Sequence, residues 1–398
     1  VSQHEVRALS ESEFRGANDL FRHALLWQPS SDEEWAGNAA LHEPGRVLGA
    51  FVDGELAGTT RTITNMLAVP GGRRLPAGAV AGVGVRADQT RRGVLTSLMR
   101  AQLEEVRERG EAVAMLRASE AVIYERFGYG VATRCRSVEL DRARVAVRAE
   151  MPRGGRVRLV DQAKAEPLLP AIYERCGLDR PGRIGRADAW WSAQWSMLGK
   201  GLTVAVHADE DGVDDGFLIY EPKTDDNRFN TVRVVDVSAA DATATAELWR
   251  FLFDLDLGDR LVAGIRPVDE PLEWWLTDRR QCRITTVEDD LWVRLVDVLA
   301  ALRARTFGAA DPVVVEVRDA FLPENEGRYR VGPDGVDRCS GEPQLSLDVA
   351  TLAALYLGDQ SASALVAAGR VQAHDPAAVP AADSLFATVV PPWCGTSF

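Results

Sequence analysis

Between Ala81 and Gly130 the chain reads AGVGVRADQTRRGVLTSLM and then, further on, RASEAVIYERFGYG. Two features of this stretch could do chemistry. The first is Arg91-Arg92-Gly93, which sits between a strand-like run and a helical one. A pyrophosphate is held by backbone N–H groups at a helix N-terminus, by a glycine that lets the backbone come close, and by nearby positive charge. The segment QTRRGVLTSL offers all three. Arginine pairs are common on surfaces, and it is the strand–turn–helix setting that points to a phosphate site. The second is the phenol of Tyr124 in AVIYERF. Taken alone, it reads equally well as a half-buried aromatic and as a proton donor.

The elements that must carry these groups follow from periodicity. Phe14, Leu20, Phe21, Ala24 and Leu25 fall at helical spacing. Ser31 is a good N-cap for a second helix, with Glu33, Glu34 and Trp35 in its first turn. RVLGAFVDG, ELAGTTRTITNMLAV and AVAGVGVR read as strands, the first two joined by a hairpin turn at Asp53-Gly54. A helix is predicted from Arg92 to Arg109, with Leu95, Leu98, Met99, Leu103 and Val106 as its apolar stripe and Gly110 ending it. AVAMLRA is then a short buried strand. After residue 150 a Pro/Gly/Arg-rich segment reads as a linker, and a strand–helix–strand order recurs, as expected of an internal duplication. A third unit begins near Leu291. The expected division is 1–150, 151–290 and 291–398.

Length and composition agree with several soluble domains: 398 residues, 46% hydrophobic and 26% charged. No apolar run approaches the roughly 20 residues of a membrane span, and VSQHEVRALSESEF lacks the layout of a signal peptide. Five widely spaced cysteines without a CxxC pair read as free thiols in a reducing cytoplasm. Neither the cysteines nor the five histidines show metal-ligand spacing, so no metal is expected. A net charge of −13 argues against nucleic acid or anionic membrane as partner and suits cationic small molecules, although many cytoplasmic proteins are simply acidic.

Three blocks carry a family resemblance: VGVRADQTRRGVL, ASEAVIYERFGYG and SLDVATLAALYLGDQSASALVAAGRV. The first resembles the acyl-CoA motif of GNAT N-acetyltransferases, with Thr90 where Gln or Arg is usual and Leu95 where a small residue is usual. Together the blocks resemble the enhanced intracellular survival (Eis) family of actinobacterial aminoglycoside acetyltransferases. That resemblance implies an α/β (α+β) architecture. It also implies a GNAT domain followed by a second, degenerate GNAT domain and a sterol-carrier-like C-terminal domain, assembled as a homohexamer. It implies acetyl-CoA as cosubstrate, contacted by Val83, Gly84 and Val85, by Arg91, Arg92, Gly93, Val94, Leu95 and Thr96, and by Ser119 and Glu120. Val83 and Val85 also suit plain core packing. In such an enzyme the backbone of their strand pairs with the amide-rich pantetheine arm.

The same resemblance makes Tyr124 the general acid and the terminal carboxylate of Phe398 the general base. An amine with a pKa of about 10 must lose a proton before it attacks a thioester, and the departing thiolate must gain one. PPWC just before the end reads as a packed tail rather than a frayed one. The acceptor pocket is expected to use tryptophans, with Trp35 and Trp195 foremost. Most tryptophans are core residues, so half of the ten would pack without binding anything. Ser397 stands where some relatives carry an acid, which alters the range of amines. The expected activity is direct acetyl transfer to amines of polycationic small molecules, aminoglycosides first. Lysine, peptide or polyamine acetylation is the alternative within the class. A lipid or small-molecule carrier with a vestigial site is the alternative outside it. Before ATATAELWRF the second unit reads VSAADATAT, without the arginines, so it is not expected to bind CoA.

Overall fold

The computed structural model describes residues 4–199, 201–224, 230–256 and 258–398. It divides into two compact units. The first comprises residues 1–133, 179–185 and 289–398, and the second 134–178 and 186–288.

The first unit opens with strand β1 (Glu5–Ala8), helices α1 (Phe14–Ala24) and α2 (Asp32–Asn38), and strands β2 (Val47–Val52), β3 (Glu55–Val69) and β4 (Arg73–Val85). Helix α3 (Val94–Glu108), strand β5 (Val113–Leu116), the single-turn helix α4 (Ala121–Tyr124) and the short strand β6 (Gly130–Val131) follow. Local chemistry explains several boundaries. Ser31 caps α2 reciprocally: its hydroxyl accepts from Glu34 N (3.2 Å) and its own N–H donates to the Glu34 carboxylate (2.8 Å). Asp53 and Gly54 both take positive φ, +53° and +82°, as a type I′ hairpin turn between β2 and β3 requires. Helix α3 buries Val94, Leu98, Met99, Leu103 and Val106. Each such aliphatic side chain contributes about 1.5–3 kcal/mol by leaving water.

The sheet runs β1-β2-β3-β4-β5, then the strand Trp292–Leu295, then β6. Only β4 and β5 are parallel, joined by α3. Trp292–Leu295 lies antiparallel to β5 and pairs with β6 on its other side. A strand expected to open the third unit therefore belongs to the first sheet. Its Arg294 is fully buried and pairs with buried Asp319 at 2.7 Å. The helix Val349–Tyr356 packs on β6 so closely that a Cβ at Gly130 would stand 2.0 Å from the Ala350 carbonyl oxygen. Residues 298–395 add a five-stranded sheet built around Val313–Arg318, with four helices.

The second unit has its own seven-stranded sheet. It repeats the parallel pair: Asn230–Ala239 and Arg260–Pro267 run side by side from Thr231↔Arg260 to Val234↔Ala263, joined by the helix Ala242–Phe253. Trp249, Leu248 and Leu252 of that helix are fully buried. None of the five cysteines forms a disulfide among the described residues, and no helix among the described residues is long and apolar enough to cross a membrane.

Candidate functional site

The register of β4 against β5 runs from Ala77↔Val113 to Ala79↔Met115 and stops, although β4 continues to Val85. A bulge marks the divergence: Gly82 and Val83 stand opposite the single Thr60, and Gly82 has φ +60°. The two parallel strands therefore splay. Val83, Gly84 and Val85 line the β4 side with backbone groups that β5 does not pair. Gly84 is buried against α1, where a Cβ would come 2.9 Å from the Phe21 backbone.

At the end of β4 the chain turns into α3 through two left-handed residues, Arg91 (φ +62°) and Gly93 (φ +88°). A non-glycine residue in that region is uncommon and marks a turn shaped for a purpose. Arg91, Arg92, Gly93 and Thr96 are exposed, Val94 is buried and Leu95 half-buried, so the last two can offer only their N–H groups. Arg92 donates to the Gln89 side chain at 2.6 Å, and neither arginine forms an ion pair among the described residues. His4, whose spacing in the sequence points to no role, reaches the same turn and shares a hydrogen bond with Ser97 Oγ (3.2 Å). The turn thus offers helix N-terminal N–H donors beside two guanidinium groups that no carboxylate neutralises among the described residues, an arrangement suited to phosphate.

Across the splay, Ser119 and Glu120 are exposed in the loop between β5 and α4. Tyr124 ends α4. Its ring packs edge-on against Tyr129, 6.0 Å between centroids, in a cluster with Val80, Leu116 and Trp292. Burial pushes its phenol up to about 12. Tyr129 Oη is sealed in without a partner. Tyr124 Oη makes no hydrogen bond among the described residues and is not sealed in, so it is available to a ligand.

The C-terminal tail is packed, as expected. Trp393, Cys394 and Thr396 are buried, Phe398 is half-buried and Ser397 exposed. Trp393 N donates to the Pro181 carbonyl (2.8 Å), and the Arg180 and Arg183 guanidinium groups lie over its ring at 5.6 and 5.0 Å. Residues 181–184 are themselves tied to β3, through Ala68 N to Arg183 O (2.8 Å) and Gly182 N to Ala68 O (2.9 Å). The buried carboxylate of Asp290 accepts from Cys394 N (3.0 Å), Gly395 N (3.2 Å) and Thr133 Oγ1 (3.1 Å), and pairs with Arg117. Burial and that carboxylate push the Cys394 thiol up to about 12, leaving it unreactive. Neither Asp290 nor Arg117 was singled out in advance. An acid standing directly before the apolar run LWV in DDLWVRL was the signal available.

On the α1 side, Trp35 is half-buried and packs at a tilt against His42, 5.0 Å between ring centroids. His42 donates from Nδ1 to the Asn38 carbonyl (3.1 Å) and accepts at Nε2 from Arg61 (3.0 Å). Burial, then the Arg61 charge, push this imidazole down to about 4, so it stays neutral. Arg61 itself is pushed by burial to about 10, and its Nε is buried without a partner. It remains charged at neutral pH with no carboxylate paired to it among the described residues. Asp32 and Glu34 form local ion pairs with Arg15 and Arg22. Trp195 lies in the second unit, half-buried and stacked on buried Trp191 at 6.4 Å. Trp35 and Trp195 therefore fall in different units, each packed on neighbours of its own.

The second unit's parallel pair diverges as β4 and β5 do, after Val234 and Ala263. Here the gap holds protein. Ile265, at φ +55°, turns the strand so that Arg266 donates to the Val237 carbonyl (3.1 Å) and grips Glu270 (3.0 Å), which also accepts from Trp249 Nε1 (3.1 Å).

Comparison with known proteins places these features in context. An acetyltransferase (GNAT) domain model matches residues 5–132, a second acetyltransferase (GNAT) domain model residues 182–295, and a sterol carrier protein domain model residues 298–395. The chain is 41% identical over 413 residues to an uncharacterized N-acetyltransferase of Streptomyces coelicolor, covering 99% of each. It is 33% identical over 359 residues to the N-acetyltransferase Eis of Mycobacterium bovis, covering 86% of each. Among solved structures it superposes on Eis1 from Mycobacterium abscessus with a TM-score of 0.90, 40% identity and 100% of each chain covered.

Proposed function

Since this chain belongs to the Eis family of GNAT N-acetyltransferases, we propose that it transfers acetyl from acetyl-CoA directly to an amine of a polycationic small molecule, with aminoglycosides the leading class. It is an acetyltransferase with two GNAT domains followed by a sterol-carrier-like domain. The observation that carries the proposal is the splay of β4 from β5, which opens beside the left-handed turn at Arg91–Gly93 and has the unpaired Tyr124 hydroxyl on its far side.

The GNAT fold implies acetyl-CoA as cosubstrate, and the residues present suit it. The unpaired β4 backbone at Val83–Val85 matches a chain of amides, and the turn from Arg91 to Thr96 matches a pyrophosphate. Ser119 and Glu120 border the opposite wall. When bound, acetyl-CoA supplies an activated acetyl group. In this proposal the Phe398 carboxylate holds the acceptor's ammonium and takes its proton, and Tyr124 stabilises and protonates the leaving sulfur. Trp35 and Trp195 are proposed acceptor contacts. Arg61 puts a fixed positive charge beside Trp35 and His42, so the ammonium groups of a polycation must bind away from it. The second GNAT domain is proposed not to bind CoA, because Arg266 bridges the gap that pantetheine would need. Assembly as a homohexamer in the cytoplasm belongs to the same proposal, and sedimentation tests the assembly.

The deciding experiment is thiol release from acetyl-CoA across aminoglycosides, polyamines and lysine peptides. Turnover confined to lysine peptides would move the assignment to protein acetylation. Tight CoA binding with no turnover on any amine would remove the substrate class. For the donor side, Arg91→Ala and Arg92→Ala should each weaken acetyl-CoA binding about tenfold, the effect of losing one charge-assisted hydrogen bond, with the acceptor KM unchanged. Calorimetry that finds wild-type affinity in both variants would discard the phosphate role.

A further inference from the structure

Asp290 has the environment of a strut. Its side chain is fully enclosed. One oxygen pairs with Arg117, and the other takes three donors: Thr133 Oγ1, Cys394 N and Gly395 N. Two successive backbone N–H groups converging on one oxygen form an anion-binding nest, and Gly395 adopts the left-handed φ, +66°, that such a nest uses. Arg117 is the first residue after β5, two residues before Ser119. A single carboxylate therefore ties the β5 wall of the donor cleft to a tail that ends three residues after Gly395. Burying this charge brings little net stability, since an apolar replacement of similar shape generally does as well. What four converging bonds supply is a fixed geometry.

We propose that Asp290, through Arg117 and the nest at Cys394–Gly395, is a positioning residue for the C-terminal carboxylate: it holds the tail at a set spacing from the β5–α4 segment that carries Tyr124. The inference rests on the reading of Phe398 as the general base, and it adds the group through which that base is placed. In this reading Asp290 acts through the tail and not on the substrate. An Asn at this position keeps the volume but turns an NH2 toward either Arg117 or the backbone donors, so one set of bonds is lost whichever way it faces. Arg117 is partly exposed and can swing to water, so loss of the pair does not strand a buried cation.

The test uses the full 398-residue chain with Phe398 as its last residue. Carboxypeptidase should release Phe398 from Asp290→Asn about tenfold faster than from wild type, the expected effect of losing one or more bonds to a charged group. The kcat of Asp290→Asn should fall toward that of a Phe398 deletion, while its affinity for acetyl-CoA, measured by calorimetry, stays within about twofold. Combining Asp290→Asn with the deletion should be no slower than the deletion alone, because both act through one tail. Arg117→Lys, which keeps the charge but loses the fork, should show the same pattern more weakly and serves if Asp290→Asn does not fold. Wild-type trimming rates in both variants, or multiplicative losses in the double variant, overturn the proposal. A Phe398 deletion as active as wild type would instead sink the base assignment, and accelerated trimming in Asp290→Asn would still establish the tether.

Discussion

Replacing Tyr124 by phenylalanine should lower kcat about 100-fold and leave the KM for acetyl-CoA within about twofold. General acid catalysis by a side chain is typically worth 10²–10⁴-fold, and the low end applies here for a specific reason. Burial holds the Tyr124 phenol near 12, whereas a thiol titrates at about 8.5. Complete proton transfer to the leaving sulfur is therefore uphill. The phenol's main contribution is a hydrogen bond to developing negative charge, and bonds of that kind are worth about 1.5–3 kcal/mol. The pH dependence follows from the same shift. A raised phenol pKa keeps the proton on Tyr124 throughout the working range, so the wild-type pH–rate profile should show no alkaline fall from this residue below about pH 11. The Phe variant should run parallel to it at lower height. The ring stays, so its contacts with Tyr129 and Leu116 stay, and a thermal melt should be nearly unchanged. A Tyr124→Phe enzyme within threefold of wild type would rule out the acid role.

The second large effect concerns the scaffold. Asp319→Ala should destabilise the first unit by about 3–5 kcal/mol, the usual result of removing one partner from a buried ion pair. Its carboxylate accepts from Arg294 (2.7 Å), Asn325 Nδ2 (2.9 Å) and Leu322 N (3.0 Å), and both charged side chains are shielded from water. Without it, the Arg294 guanidinium is left buried on the strand next to the edge of the first sheet, where desolvation already pulls its pKa down. Against a total stability of about 5–15 kcal/mol, this is a large fraction. The melting temperature should drop on the order of 10 °C. Replacing both members by apolar residues of similar size should restore most of the loss, because the penalty is that of an unpaired charge. A single variant losing less than about 1 kcal/mol would show that Arg294 finds other compensation. Activity should fall with stability, since Arg294 lies against Gly128, four residues past Tyr124.

Much of the donor side was legible in the residues themselves. The Ser31–Glu34 cap, the Asp53-Gly54 turn and the end of α3 at Gly110 all depend on neighbours within a few positions, and each formed where the pattern placed it. The α3 stripe was read correctly except that Leu95 is only half-buried. The strand Trp292–Leu295 was not legible as part of the first sheet. A short apolar run carries no label for its partner, and this one passes over nearby strands to pair with β5 and β6. The segment 181–184, which supports the tail, carried no signal in advance for the same reason.

The turn at Arg91–Gly93 needs only contiguous residues, an αL glycine and a following helix to offer helix N-terminal N–H donors. Chain order alone was therefore enough to mark it and, with it, the class of donor. The tail is a different matter. Cys394 and Gly395 meet a carboxylate 104 and 105 positions earlier in the chain, and Arg117 meets the same group 173 positions later. Arg266 closes the second splay by reaching across strands to Val237. Beyond the acid that precedes the apolar run at Leu291, nothing local sets those residues apart from other Asp and Arg of the chain. Their roles come from burial, which makes an unpaired charge costly and a fully bonded one rigid, and only the folded chain decides which charges are buried together.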